Sequence, residues 1–108
     1  MNMTSISHES REEKVSWTFL TNHSHVLVCL ARNPDLRLRD LSWKVGITER
    51  AIQRIVNDLE DARVIHRIKE GRRNRYEVNL DAVMRHPVEG QVPIRQVISP
   101  ILAMPESN

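Results

Sequence analysis

Residues 38–59 carry the pattern that most constrains how this chain can fold. Three apolar residues recur there at intervals of three and four, which places them on one face of a short helix: Leu38, Leu41 and Val45. Gly46 follows where a helix ends in a left-handed residue, a conformation that glycine adopts without a steric penalty. The sequence therefore predicts a helix that stops at Gly46, with Ile47 as a single apolar residue in the turn.

A second amphipathic helix is predicted directly after this turn. Thr48 can act as its N-cap, and Glu49 lies in its first turn, where a negative charge is favourable. Its buried face consists of four apolar residues within about 100° of arc: Ile52, Ile55, Val56 and Leu59. A helix, a glycine turn and a capped helix in this order are the sequence signature of a helix-turn-helix.

A β-hairpin is predicted after Ala62, where the apolar period changes. Residues 64–70 and 76–78 read as two strands, joined at a tip over residues 71–74 that contains glycine and asparagine. A hairpin directly after the second helix of such a motif is a wing. The predicted fold class is mainly α with a small β-hairpin (α+β), a winged helix-turn-helix with a three-helix core plus the wing.

The rest of the chain is predicted with less regular structure. A first helix begins near Thr21 or Asn22 and stops before Pro34, and residues 35–39 form a short strand or an extended lead into the motif. A short helix is predicted over residues 80–85. An apolar stripe between residues 94 and 102 predicts either two short helical pieces or one kinked helix, because Pro100 cannot donate to a helical carbonyl.

These patterns divide the chain into three parts. Residues 1–14 have too few apolar side chains to offset the entropy of ordering and are predicted to be a disordered N-terminal arm. Residues 15–87 are predicted to form the winged helix-turn-helix domain, and residues 88–108 a C-terminal tail that is a possible dimerisation segment. We expect the roughly 90 residues after the arm to form one modest core and no separate sensor domain.

Basic residues are unevenly distributed along the chain. The net charge is only +2, yet residues 63–75 hold six Lys/Arg and one acid, and acidic residues cluster just before, in residues 58–61. A local basic patch on a nearly neutral chain indicates a directed contact with a polyanion. A solvated charged loop is the ordinary alternative.

The outer face of the second motif helix carries polar side chains suited to base edges. With Ile52 at zero, they fall between about 100° and 200° around the helix: Gln53, Asn57, Arg50 and Arg54. Arginine can bridge guanine O6 and N7, and asparagine or glutamine can bridge adenine N6 and N7. We therefore predict that residues 48–57, with Thr48 at the cap of a recognition helix over residues 48–61, read double-stranded DNA in the major groove. A merely solvated helix face is the alternative.

The wing supplies further candidate DNA contacts. Arg72, Arg73 and Arg75 are suited to phosphates or to the narrow minor groove rather than to base-specific contacts. Arg37 and Arg39, at the start of the first motif helix, could add phosphate contacts. Solubility is the ordinary explanation for such arginines.

Trp43 is predicted to point away from the core of the motif. An exposed tryptophan fits a partner surface, stacking on a sugar, or packing against the N-terminal arm. Trp43 and the apolar tail favour an alternative function, a winged-helix protein–protein interaction module without DNA binding. RNA binding would share the basic wing, but the sequence predicts no paired surface aromatics for stacking single-stranded bases.

Metal binding, catalysis and membrane insertion have little support in the sequence. His25 and Cys29 share a helix face, but two ligands are too few for a closed zinc site, and no cofactor is expected. We find no Gly-rich phosphate loop, HExxH, CxxC or GxSxG, so no enzyme is predicted. A lone cysteine, apolar runs far below the ~20 residues of a membrane span, and no signal-peptide pattern predict a cytoplasmic protein.

The motifs also resemble a known family when they are taken in order. WTFLTNH (17–23), LRLRDL (36–41), VGITER (45–50), QRIV (53–56), DLE (58–60), GRRNRY (71–76) and the segment 80–87 are similar to small MarR/ArsR-like winged-helix transcription regulators. The resemblance covers residues 15–103 and implies a homodimer that binds specific DNA sequences in the cytoplasm. The sequence does not show whether an effector is involved.

The resemblance also assigns site residues and shows departures. It carries DNA contact over to Thr48, Arg50, Gln53, Arg54 and Asn57 in the second motif helix, and to Arg72, Arg73 and Arg75 in the wing. Trp43 and Lys44 stand where relatives have small or acidic residues, and Ser99-Pro100 interrupts a helix that continues in relatives. The thiol metal box of the metal-sensing branch is missing.

Overall fold

The computed structural model describes residues 16–107. The N-terminal arm predicted over residues 1–14 lies outside the described residues. Within the described part, no helix is long and apolar enough to cross a membrane.

Three helices form the first half of the fold. They are α1 (Asn22–Arg32), α2 (Leu38–Val45) and α3 (Glu49–Asp61). The predicted helix limits are confirmed for all three. The short strand or extended lead predicted over residues 35–39 is correct only at Arg37, which is extended, because Asp35 lies in a turn and residues 38–39 already belong to α2.

A two-stranded antiparallel hairpin follows, with β1 (Ile65–Glu70) and β2 (Arg73–Val78) in the register Ile65↔Val78. The wing is therefore confirmed, but its tip is shorter than predicted, because β2 already begins at Arg73. Gly71 has a φ of 63°, and the residue after it has a negative φ, which fits a two-residue turn with glycine in the first central position.

The short helix predicted over residues 80–85 is wrong. Val83 forms an isolated antiparallel bridge with Pro93. Backbone N–H groups of Met84 and Ile94 donate to the carbonyls of Val92 and Ala82, at 2.8 and 2.7 Å. These pairings across a loop satisfy the backbone polar groups that a local helix would otherwise have paired.

The C-terminal segment forms a 3₁₀ turn (Pro87–Glu89) and one helix, α4 (Arg95–Leu102), with Pro100 inside it. The alternative of two separate helical pieces is therefore wrong. Arg32 Nη2 donates to the carbonyls of Ile101 and Met104, both at 3.0 Å, and so satisfies acceptors near the end of α4.

One apolar core joins all these elements. Residues from each helix and both strands are buried in it: Val26, Leu27, Val28, Leu30, Leu41, Ile52, Ile55, Val56, Leu59, Val64, Ile65, Tyr76 and Ile98. Ile98 is the contribution of α4, so this helix packs on the body of the domain. Because α3 buries only its apolar strip, its polar strip faces away from the core.

Candidate nucleic-acid interface

The turn that orients α3 has the predicted construction. Gly46 has a φ of 83° and closes α2 in the left-handed conformation. The Ser42 hydroxyl donates to the Ile47 carbonyl at 2.5 Å, which holds the turn. The Thr48 hydroxyl oxygen accepts from the backbone N–H of Ala51 at 3.1 Å, so the N-cap prediction is confirmed.

The polar strip of α3 lies on the surface. Arg50, Arg54 and Asn57 are exposed and Gln53 is partly exposed. The Gln53 side-chain amide donates to Asn57 Oδ1 at 3.0 Å, one turn further along the helix. The two amides are therefore held side by side, and each still has donor or acceptor capacity to offer to a base edge.

The other end of α3 is acidic and engaged with neighbouring elements. His23 Nε2 lies 2.8 Å from Asp58 Oδ2, which links the start of α1 to α3. Glu60 binds Arg67 of β1, and Asp61 is exposed. Because these carboxylates would repel phosphate, the surface suited to a polyanion ends near Asn57.

The wing arginines fall into two groups. Arg72 lies in the two-residue turn and is exposed. Arg73 Nη2 donates to the Asp35 carbonyl at 2.8 Å, and Arg75 Nη1 lies 3.3 Å from Asp35 Oδ1. Asp35 carries no local sequence signal of this role, because its contacts with β2 join residues about forty positions apart. Beside them, the backbone N–H of Tyr76 in β2 donates to the Pro34 carbonyl at 3.1 Å.

A groove with a mixed polar and apolar lining joins the wing to the segment before α2. It has a volume of about 310 Å³, and its lining includes Arg37, Arg72 and Arg73. Arg37 and the wing arginines Arg72 and Arg73 therefore line the same groove, although they lie about 35 residues apart in the chain. Arg39 lies elsewhere, in a second groove beside Trp43.

The remaining sequence candidates lie away from this groove. Trp43 is 82% exposed, as predicted. Cys29 is half-buried; burial raises the pKa of its thiol, Lys44 and Arg32 oppose that shift, and Glu106 adds to it. Residues 16–107 contain no cluster of three metal-ligating side chains.

The expectation that surface aromatics are unpaired is wrong. Trp17 and Phe19 are both exposed, and their rings meet edge to face with centroids 5.1 Å apart. Their spacing of two residues in an irregular segment gave no periodic signal that could have indicated the contact.

Comparisons with known proteins agree with this architecture. Residues 20–66 match a family model described as winged helix-turn-helix DNA-binding. No curated protein matches the chain. Among solved structures, the chain is similar to MepR, a transcription regulator of the multidrug efflux pump MepA of Staphylococcus aureus. The two share 18% identity, with a TM-score of 0.53 over 92% of this chain and 72% of that chain. The match over residues 20–66 and the likeness to MepR agree that this chain has a winged helix-turn-helix fold.

Proposed function

We propose that this chain is a sequence-specific regulator of transcription that binds double-stranded DNA. In this proposal α3 enters the major groove and reads bases through Arg50, Gln53, Arg54 and Asn57. The observation that carries the proposal is the division of α3 into a buried apolar strip and an exposed polar strip with the side chains that bind base edges.

The wing supplies the second part of the contact. Arg72, Arg73 and Arg75 contact phosphates or the minor groove beside α3, and Arg37 joins them through the shared groove. Phosphate contacts of this kind fix the position of a protein on the duplex without reading sequence. Thr48 contributes by capping α3 and fixing its first turn.

The regulator acts as a homodimer in the cytoplasm. Two copies related by a two-fold axis would place their α3 helices in half-sites about one helical turn (~10 bp) apart. A palindromic binding site with that spacing is the expected signature of the assembly. No enzymatic step is proposed.

Binding to a pool of random duplexes at several salt concentrations tests this function. The proposal expects the logarithm of the affinity to fall linearly with the logarithm of the salt concentration, with a slope set by the number of phosphates contacted. Enrichment of one sequence from the pool supports specific reading. A protein that retains its fold but binds no duplex at low salt contradicts the proposal.

A second function is favoured by one observation, the 82% exposure of Trp43 on α2, beside a groove lined by Leu36, Arg39 and Lys44. Tryptophan is enriched among the residues that dominate protein–protein interfaces. An interaction module without DNA binding is therefore the alternative, and the absence of salt-sensitive duplex binding would support it.

A further inference from the structure

Trp17 and Phe19 form an exposed aromatic pair immediately before α1. Their side chains are 67% and 92% exposed, and the rings lie at an interplanar angle of 77°, an edge-to-face arrangement that aromatic pairs prefer. Their mutual contact orders both rings in advance. Large apolar side chains held at the surface in this way indicate an interaction site.

An apolar cleft of about 300 Å³ begins directly after this pair. Leu20 and Thr21 form one of its walls, and α1, the end of α3, the 84–89 segment and α4 form the rest. Its apolar lining includes Leu27, Leu59, Met84, Ile94, Val97 and Ile98. The cleft therefore lies beside the aromatic pair, yet the pair does not fill it, since both rings remain exposed.

We propose that a second copy of this chain occupies the cleft. The Trp17–Phe19 pair of one copy enters the cleft of the other, and the exchange is reciprocal about a two-fold axis. A protruding apolar group and an apolar recess on the same surface are the self-complementary features that an isologous dimer requires.

The expected area supports a stable interface. An aromatic side chain buries about 150–250 Å², so four aromatics in a symmetric dimer cover about 600–1,000 Å². The cleft walls that they contact lose a comparable area, and together these reach the roughly 1,200–2,000 Å² of a standard interface. Val88, which is 87% exposed next to the lining residue Glu89, can add to it.

The position of the cleft links dimerisation to the proposed DNA contact. Asp58, Leu59 and Ala62, at the C-terminal end of α3, line the cleft, and the contact between His23 and Asp58 lies at the same place. A partner seated there packs behind α3 and fixes the distance between the two α3 helices. This inference names the interface of the proposed homodimer, but it can fail while DNA binding by a single copy stands.

Sedimentation equilibrium of the full chain without DNA tests the interface. We expect a dimer, and a double variant Trp17→Ala/Phe19→Ala whose dissociation constant rises by at least about 30-fold, the effect of losing one strong aromatic hot spot. Met104→Ala removes another large exposed apolar side chain that does not line the cleft and is the control, which should leave the constant unchanged. Circular dichroism spectra at low temperature should be the same for all variants, because the changed side chains are exposed and each copy keeps its fold. The double variant should melt at a lower temperature than the wild type, because it loses the stabilisation that association gives the folded chain.

Mixing two variants tests the reciprocal exchange itself. Val97→Arg places a charge in the cleft but keeps the aromatic pair, whereas Trp17→Ala/Phe19→Ala keeps the cleft. Each variant alone should be monomeric, and the mixture should form heterodimers through its one intact contact. A wild-type chain that is monomeric overturns the proposal. That result is expected if residues 1–15 of the same chain or a small apolar ligand occupies the cleft instead. A dimer that the double variant leaves intact also overturns it.

Discussion

Arg67 of β1 and Glu60 of α3 form a two-point ion pair that joins the wing to the helix beside it. Arg67 Nε donates to Glu60 Oε2 at 3.1 Å, and Arg67 Nη2 donates to Oε1. This hydrogen bonding raises the pKa of Arg67 above its ordinary value. Arg67 belongs to the basic tract of the sequence, but its charge is compensated inside the fold, so it adds little to a surface for DNA.

Glu60→Gln should destabilise the domain, because one of two charge-assisted hydrogen bonds becomes neutral and Arg67 loses its counter-charge. We expect a loss of about 1 kcal/mol in the free energy of unfolding. For a domain of this size that corresponds to about 4–8 °C in Tm. Thermal denaturation followed by circular dichroism measures the change.

Asp61→Asn is the control for Glu60→Gln, since it removes the same charge from the next position of α3. Asp61 is exposed and makes no ion pair within residues 16–107, so its replacement should leave Tm nearly unchanged. Equal effects of the two variants would show that the pair between Glu60 and Arg67 does not stabilise the wing.

Arg63→Gly should stabilise the domain. Arg63 has a φ of 63°, a left-handed conformation that costs a residue with a Cβ roughly 1–2 kcal/mol. The Arg63 N–H donates to the Glu60 carbonyl, and the Val64 N–H donates to the Leu59 carbonyl. These two hydrogen bonds form a Schellman motif at the end of α3, in which the position of Arg63 is usually glycine. After the greater entropy of glycine in the unfolded chain is subtracted, a gain of about 0.5–1 kcal/mol remains.

Urea denaturation of Arg63→Gly and Arg63→Ala separates backbone strain from charge. Both variants lose the guanidinium, but only glycine relieves the left-handed conformation. Arg63→Ala should therefore match the wild type, and a gain in both variants would assign the effect to charge.

The sequence predicted the parts of this fold that local signals determine. Gly46, Thr48 and the apolar stripes located α2 and α3 because a turn, a cap and a helical period each act within a few residues. The helix predicted over residues 80–85 failed because Val83 pairs with Pro93 across a loop. The contact of Asp35 with Arg75 and the cleft behind α3 were missed for the same reason, since they join distant segments.

Asp35→Asn should strengthen DNA binding by the wing. The Asp35 carboxylate lies 3.3 Å from Arg75 and offsets its charge, although both side chains are about half exposed. Asparagine can still accept a hydrogen bond from Arg75, so the local structure and the stability should change little. The loss of one negative charge should raise affinity for all duplexes and steepen the salt slope by up to about 0.9.

The matched control is Asp81→Asn, which makes the same charge change where Asp81 forms an ion pair with Arg95, the first residue of α4. Fluorescence anisotropy with a labelled duplex measures both variants over a range of salt concentrations. Equal increases for the two would indicate a general charge effect and contradict a DNA contact at Arg75.

Arg72→Ala should weaken binding to every duplex by a similar factor, because a phosphate contact carries no sequence information. The salt slope should become shallower by about one. Arg73→Ala should reduce the slope in the same way. Loss of affinity for one sequence alone would instead indicate base reading by the wing.

The central claim is that the polar strip of α3 reads bases, and selection from random duplexes with the wild type, Arg54→Ala and Gln53→Ala tests it most directly. The wild type should enrich one consensus. Each variant should lose preference at its own position in the half-site, where a bidentate contact is worth about 1–3 kcal/mol of discrimination. Arg72→Ala should keep the wild-type consensus. An unchanged consensus for both α3 variants would contradict the account.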